Sequence, residues 1–323
     1  MEVQLKKRAS QSIGINFDSR CNARCLHCCV SSSPDATDFL SDGDVDDILA
    51  DVLTHFEVHE VGFTGGEPLL RKTRILNLIK RVTDSGRTAT IVTNGFWGVT
   101  PRAAQKIVTD LLEAGLRSLT VSYDDFHAPY IKPQRIKNVL DALQPTNMHV
   151  NLNMAVSRSN DSMDLIRELG DSALAVPITR FPVLPAGEGR NLDDSEFQRH
   201  ETGPKDLRCP GYQIIYHNDG NVYPCCSPAI FDTQLTLGRV GDGDVEYFIK
   251  KVERNLLLSI IQREGLGWFI TRLDNINLEG KRSFQSAVAP CEVCSRLFMD
   301  REIVNALRPQ IESYAENLKR SLL

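Results

Sequence analysis

From residue 13 to residue 181, short β-like runs alternate with stretches whose apolar residues recur at helical intervals. That alternation leaves few folds open, because βα units bury their apolar faces by laying parallel strands side by side beneath helices. The expected strands are Ile13 to Phe17, Glu60 to Thr64, Thr88 to Thr93, Ser118 to Ser122, His149 to Met154 and Ala173 to Phe181. Helical periodicity occupies Asp44 to Phe56, Arg71 to Ser85, Pro101 to Ala114, Pro133 to Leu143 and Ser162 to Leu169. Six units fall two short of a closed eight-stranded barrel. The expected class is α/β, a partial (β/α)6 TIM-like barrel over residues 1–185.

Past that point Pro182, Pro185, Gly187, Gly189, Pro204 and Pro210 interrupt any period, and a second, smaller unit is expected over 186–323. It should hold a hairpin, Tyr212 to Tyr216 with Asn221 to Tyr223, a long helix from about Val245 to Glu264 and a terminal helix from Arg301 to Lys319. A formal charge of -5 with no basic run argues against nucleic acid as a partner. The first residues lack the apolar core of a secretory signal, and no 18-residue apolar run could span a bilayer, so a cytoplasmic protein without membrane contact is expected. In that reducing compartment nine cysteines read as metal ligands or reactive thiols rather than disulfides.

In barrels of this kind chemistry gathers after the carboxyl ends of the strands. The motifs obey that rule: Cys21-x3-Cys25-x2-Cys28 follows the first strand, Gly65-Gly66-Glu67-Pro68 the second, Thr93-Asn94-Gly95 ends the third and Ser122-Tyr123-Asp124 the fourth. Three close thiolates can hold three irons of a cubane and leave the fourth iron open to a reactant. The alternative, zinc, usually brings four ligands as two close pairs.

Cys21-Asn22-Ala23-Arg24-Cys25-Leu26-His27-Cys28 together with Gly65-Gly66-Glu67-Pro68 resembles the radical S-adenosylmethionine superfamily. The resemblance implies a [4Fe-4S] cluster on Cys21, Cys25 and Cys28, whose open iron chelates S-adenosylmethionine and splits it to a 5′-deoxyadenosyl radical. It implies that Gly65 and Gly66 let the backbone approach the methionine amino group, with Glu67 as an anionic partner in the same turn as Pro68. Thr93 and Asn94 are expected near the ribose, Ser122 near the carboxylate, Asn153 near the adenosine and His27 against the adenine. The bland reading of each polar residue is a strand-end cap, and of His27 a solvated loop.

Cys209, Cys225, Cys291 and Cys294 resemble the SPASM or twitch extension that carries auxiliary clusters, and four cysteines suffice for one [4Fe-4S] cluster or a structural zinc. The full SPASM pattern would continue at position 300, which is Asp300. Cys29 and Cys226 are left over, and either Cys225 or Cys226 could be the ligand.

Asp18-Ser19-Arg20-Cys21-Asn22-Ala23, Asn94-Gly95-Phe96-Trp97-Gly98, Leu152-Asn153-Met154-Ala155-Val156, Cys209-Pro210-Gly211-Tyr212 and Tyr223-Pro224-Cys225-Cys226-Ser227-Pro228 are similar to the YydG (EpeE) family of peptide epimerases. That similarity implies conversion of L-residues to D-residues in a ribosomally made precursor peptide, with Cys226 returning a hydrogen atom to the Cα radical. An electron donor such as flavodoxin or ferredoxin would serve it. The rival within enzymes is a maturase forming thioether or carbon–carbon cross-links, and outside them a non-catalytic metal-binding protein. With Cys21 so early, no leader-recognition domain is expected ahead of the barrel, and Asp124, Asp125 and His127 are the first polar residues to consider for substrate contact.

Overall fold

The computed structural model describes residues 11–203, 207–274, 276 and 284–321. Six parallel strands form in sequence order: β1 (Ser12–Asn16), β2 (Glu60–Thr64), β3 (Thr88–Thr93), β4 (Ser118–Ser122), β5 (His149–Val156) and β6 (Ile178–Pro182). Each pairs with the next in parallel register, Ser12 opposite Glu60 and Leu152 opposite Ile178. The intervening helices are α1 (Asp42–Val52), α2 (Lys72–Asp84), α3 (Pro101–Glu113), α4 (Pro133–Leu143), α5 (Met163–Leu169) and the single turn α6 (Asp171–Leu174).

Helix α2 shows how the pattern becomes packing. Ile75, Leu78, Ile79 and Val82 recur at helical spacing and are wholly buried, each worth about 1.5–3 kcal/mol of burial. Its neighbours start on local signals: Ser41 and Asp44 form a capping box at α1, and Thr100 caps α3 ahead of Pro101.

The partial barrel is as expected, with two departures in the elements. The stretch from Ala173 to Phe181 is not one strand: its first residues wind into α6, and the strand starts only at Ile178, after Pro177. Gly170, at φ 57°, turns the chain between the two short helices there. The stretch Val245 to Glu264 is two helices, α7 (Val245–Arg254) and α8 (Leu256–Arg263). Asn255 sits between them at ψ 112°, and its side chain caps α8 by accepting from Leu258 N at 3.1 Å.

Two further helices, α9 (Gly267–Leu273) and α10 (Pro290–Phe298), precede the terminal α11 (Arg301–Ser321). The carboxyl-terminal hairpin joins the barrel sheet itself. Strand β8 (Ile214–His217) runs parallel to β1, with Ile13 opposite Ile214, and β9 (Asn221–Tyr223) and β10 (Gly238–Arg239) extend the same sheet antiparallel. The short strands β7 (His200–Glu201) and β11 (Ser286–Ala287) pair with each other apart from it. The order is β10-β9-β8-β1-β2-β3-β4-β5-β6, so the loop after β9, which holds Cys225 and Cys226, belongs to the sheet that holds the first three cysteines.

Candidate active site

The loop after β1 folds on its own backbone: Ser19 N donates to Asp38 O at 2.9 Å, Cys21 N to Ser33 O at 3.0 Å and Cys28 N to Cys25 O at 2.9 Å. The turn after β2 straps this loop down. Gly66 N donates to Asp18 O at 2.6 Å and Glu67 N to Arg20 O at 2.9 Å. A Cβ on Gly66 would overlap the Arg20 carbonyl, and one on Gly65 the Asp18 carbonyl. Bare glycine is needed here for backbone to meet backbone, before any ligand enters.

Glu67 is 3% exposed, and both its oxygens are taken. Oε1 accepts from Leu69 N at 3.0 Å and Thr93 Oγ1 at 2.8 Å, and Oε2 accepts from Asn94 N at 2.7 Å. Burial pushes its carboxyl up to about 7 against those donors. Thr93 Oγ1 also accepts from Trp97 Nε1 at 3.1 Å, so the Glu67 and Thr93 side chains tie β2 to β3.

A cavity of about 580 Å3 opens over the carboxyl ends of the strands. Cys21, Cys25, Cys28, Gly65, Gly66, Thr93, Asn94, Ser122, Asn153 and His27 all line it, whereas Glu67 and Pro68 lie outside its wall. Phe126 stacks on His27 at 4.6 Å, and burial lowers the His27 ring to about 4, so it is neutral. Asp124, 1% exposed, accepts from Phe126 N, His127 N, Ala155 N and, at 2.8 Å, His127 Nδ1. That contact outweighs the opposing effect of burial and holds His127 well above its ordinary value. Asp124 is thus an internal anchor, and Asp125 likewise accepts from Ser162 N at 2.8 Å.

Ser32, which sequence reasoning passed over, lines the cavity with its hydroxyl buried and without a partner, as is His27 Nδ1. Orphaned polar atoms of this kind mark a polar guest. No local motif singles out Ser32; only the folding back of the cysteine loop brings it there.

The second cysteine set converges as well. Cys209, Cys225, Cys291 and Cys294 line one small pocket walled by Tyr212, Leu258 and Leu266. Cys291 and Cys294 stand three apart on α10 and so share a face. Ser227 Oγ borders the pocket, buried and unpartnered. Cys226, one residue from Cys225, lines the large cavity instead, together with Cys29.

Burial pushes Cys21 up to about 12, and raises Cys28, Cys209 and Cys294 too. A metal that took the proton's place would hold such thiols as thiolates.

Residues 15–169 match the model of the radical SAM superfamily. YydG of Bacillus subtilis (strain 168), which carries the name of a peptide biosynthesis protein, is 36% identical over 316 residues, 96% of this chain and 99% of that one. A GTP 3′,8-cyclase of Lactiplantibacillus plantarum is 29% identical over 227 residues, 65% of this chain and 64% of the relative. Among solved structures, BtrN in complex with AdoMet and 2-DOIA superimposes with a TM-score of 0.51 at 17% identity, over 80% of this chain and 89% of that one, a likeness of fold. S-adenosylmethionine and a [4Fe-4S] cluster come with the superfamily, and the three-cysteine loop fits them. From the parallel barrel, the cysteine loop at its rim and near full-length identity to YydG, the chain is a radical SAM enzyme of the YydG family.

Proposed function

We propose that this enzyme epimerises L-residues to D-residues in a ribosomally synthesised peptide. The observation that carries the reading is the place of two adjacent cysteines that still touch each other: Cys225 lines the pocket of four thiols, and Cys226 lines the large cavity shared with Cys21, Cys25 and Cys28. In this reading Cys209, Cys225, Cys291 and Cys294 hold a second [4Fe-4S] cluster, and Cys226 is the hydrogen donor. Cys225 rather than Cys226 is taken as the ligand because Cys225 lines that pocket and Cys226 does not.

S-adenosylmethionine on the reduced cluster supplies hydrogen-atom abstraction from carbon. Ser122, Asn153, His27 and the backbone at Gly65 and Gly66 offer its carboxylate, sugar, base and amino group polar and ring partners along the cavity. A peptide Cα radical is planar, so the face that receives a hydrogen decides the configuration. Cys226 breaks its S–H bond and a new Cα–H bond forms, leaving a sulfur radical. One electron and one proton would then restore the thiol; an external donor such as ferredoxin or flavodoxin would supply the electron, and a cluster on Cys209, Cys225, Cys291 and Cys294 would offer it a site beside Cys226.

The test is turnover of the precursor peptide in deuterated water, followed by mass spectrometry and chiral analysis. A gain of one mass unit per converted residue, with D-residues formed, is expected. Cys226→Ala should still release 5′-deoxyadenosine yet form no D-residue. Loss of two mass units would instead make the enzyme a cross-linking maturase, and unchanged epimerisation by Cys226→Ala would remove Cys226 from the reaction.

A further inference from the structure

Asn94 closes β3 beside the cysteine loop, 6% exposed. Its backbone N–H is held by Glu67 Oε2 at 2.7 Å, and its Oδ1 accepts from Phe96 N at 3.0 Å. The second of these contacts fixes the amide, since a flipped side chain would turn its nitrogen toward the Phe96 N–H. Nδ2 then donates to Asn22 Oδ1 at 3.0 Å and to Cys21 Sγ at 3.5 Å. Both amide hydrogens are spent, and neither remains for the ribose beside which the resemblance would set this residue.

We propose that Asn94 is a positioning residue for the radical cluster: its amide donates to the Cys21 sulfur and raises the cluster's reduction potential. Reduction adds a negative charge shared by the cluster's sulfurs, and a fixed N–H dipole stabilises that state more than the oxidised one. Asn94 is buried, so its fixed dipole acts at a lower dielectric than in water and needs no reorganisation. The donor is locked from both sides, by Glu67 on the backbone and by Asn22 on the side chain. Cys28 has a comparable donor in Ser32 N at 3.2 Å, but that one is backbone and cannot be removed by substitution. The proposal rests on the superfamily's cluster and holds whether or not the product is a D-residue.

The experiment is a redox titration of reconstituted protein followed by electron paramagnetic resonance, reading the signal that changes when S-adenosylmethionine is added. Asn94→Ala should move the midpoint to a more negative potential, and Asn94→Asp, which places a carboxylate at the sulfur, further still. Midpoints equal to wild type at full iron loading would overturn the proposal. Wild-type protein labelled with 15N-asparagine supplies a second reading that no folding defect can spoil. Its reduced cluster should show a nitrogen coupling that Asn94→Ala diminishes, any remainder coming from Asn22 next to Cys21, and absence of any such coupling would overturn the proposal equally.

Discussion

At Gly66 and Glu67 a short motif does two jobs at once. The glycine lets the turn after β2 meet the cysteine loop backbone to backbone, and the glutamate clamps that turn to the end of β3. Gly66→Ala should therefore fail before any co-substrate is added, because its methyl would push Arg20 and the loop behind Cys21 out of place. The expected outcome is loss of the radical cluster's iron, measured as about four irons per chain fewer than wild type. Glu67→Ala leaves Leu69 N, the Thr93 hydroxyl and Asn94 N without their acceptor, a cost of about 2–4 kcal/mol in chemical denaturation of the apo-protein. Its pH dependence has a definite sign. A carboxyl raised from 4.5 to about 7 by burial holds a proton in the folded state that the unfolded chain has released, so stability falls as pH rises through that window. Thermal melts across it should slope downward in wild type and lie flatter in Glu67→Gln.

Elements were legible where the signal is local. Strands β2, β3 and β4 follow from β-branched runs between turns, and the cysteine loop from spacing alone. The break at Asn255 was not, because apolar residues stay in phase across it and the deciding fact is a side chain capping the next helix. Removing that cap by Asn255→Ala should cost about 1 kcal/mol in denaturant midpoint while leaving iron content unchanged. Helix α10 escaped for another reason. It is short, begins at Pro290 and carries two cysteines, so its residues read as ligands before they read as a helix. Cys291→Ala with Cys294→Ala should lower bound iron to about four per chain and leave S-adenosylmethionine cleavage in place, as assayed by 5′-deoxyadenosine release. Iron near four with one zinc in the wild type would instead make this pocket a zinc site.

At the scale of the whole molecule, the segment written after the sixth strand returns to the first. Strand β8 hydrogen-bonds along β1, and Ile214 and Ile215 are buried there beside Ile13 and Ile15. No sequence pattern states that return, since β8 and β1 lie some two hundred residues apart and either could have formed an outer edge. Its consequence for the site is direct: the hairpin that continues β8 presents Cys226 to the cavity whose other wall is the first cysteine loop. It bears equally on whether residues 1–185 are a unit that folds alone. Cut there, the chain would expose β1 as an unpaired, apolar edge along its whole length, a template for association with other chains. The fragment should therefore bind hydrophobic dyes, associate in sedimentation and lack a cooperative melt, whereas the full chain melts as one transition through the shared sheet. A monomeric fragment with its own sharp transition would show that the barrel closes its edge without β8 and would support a boundary at residue 185.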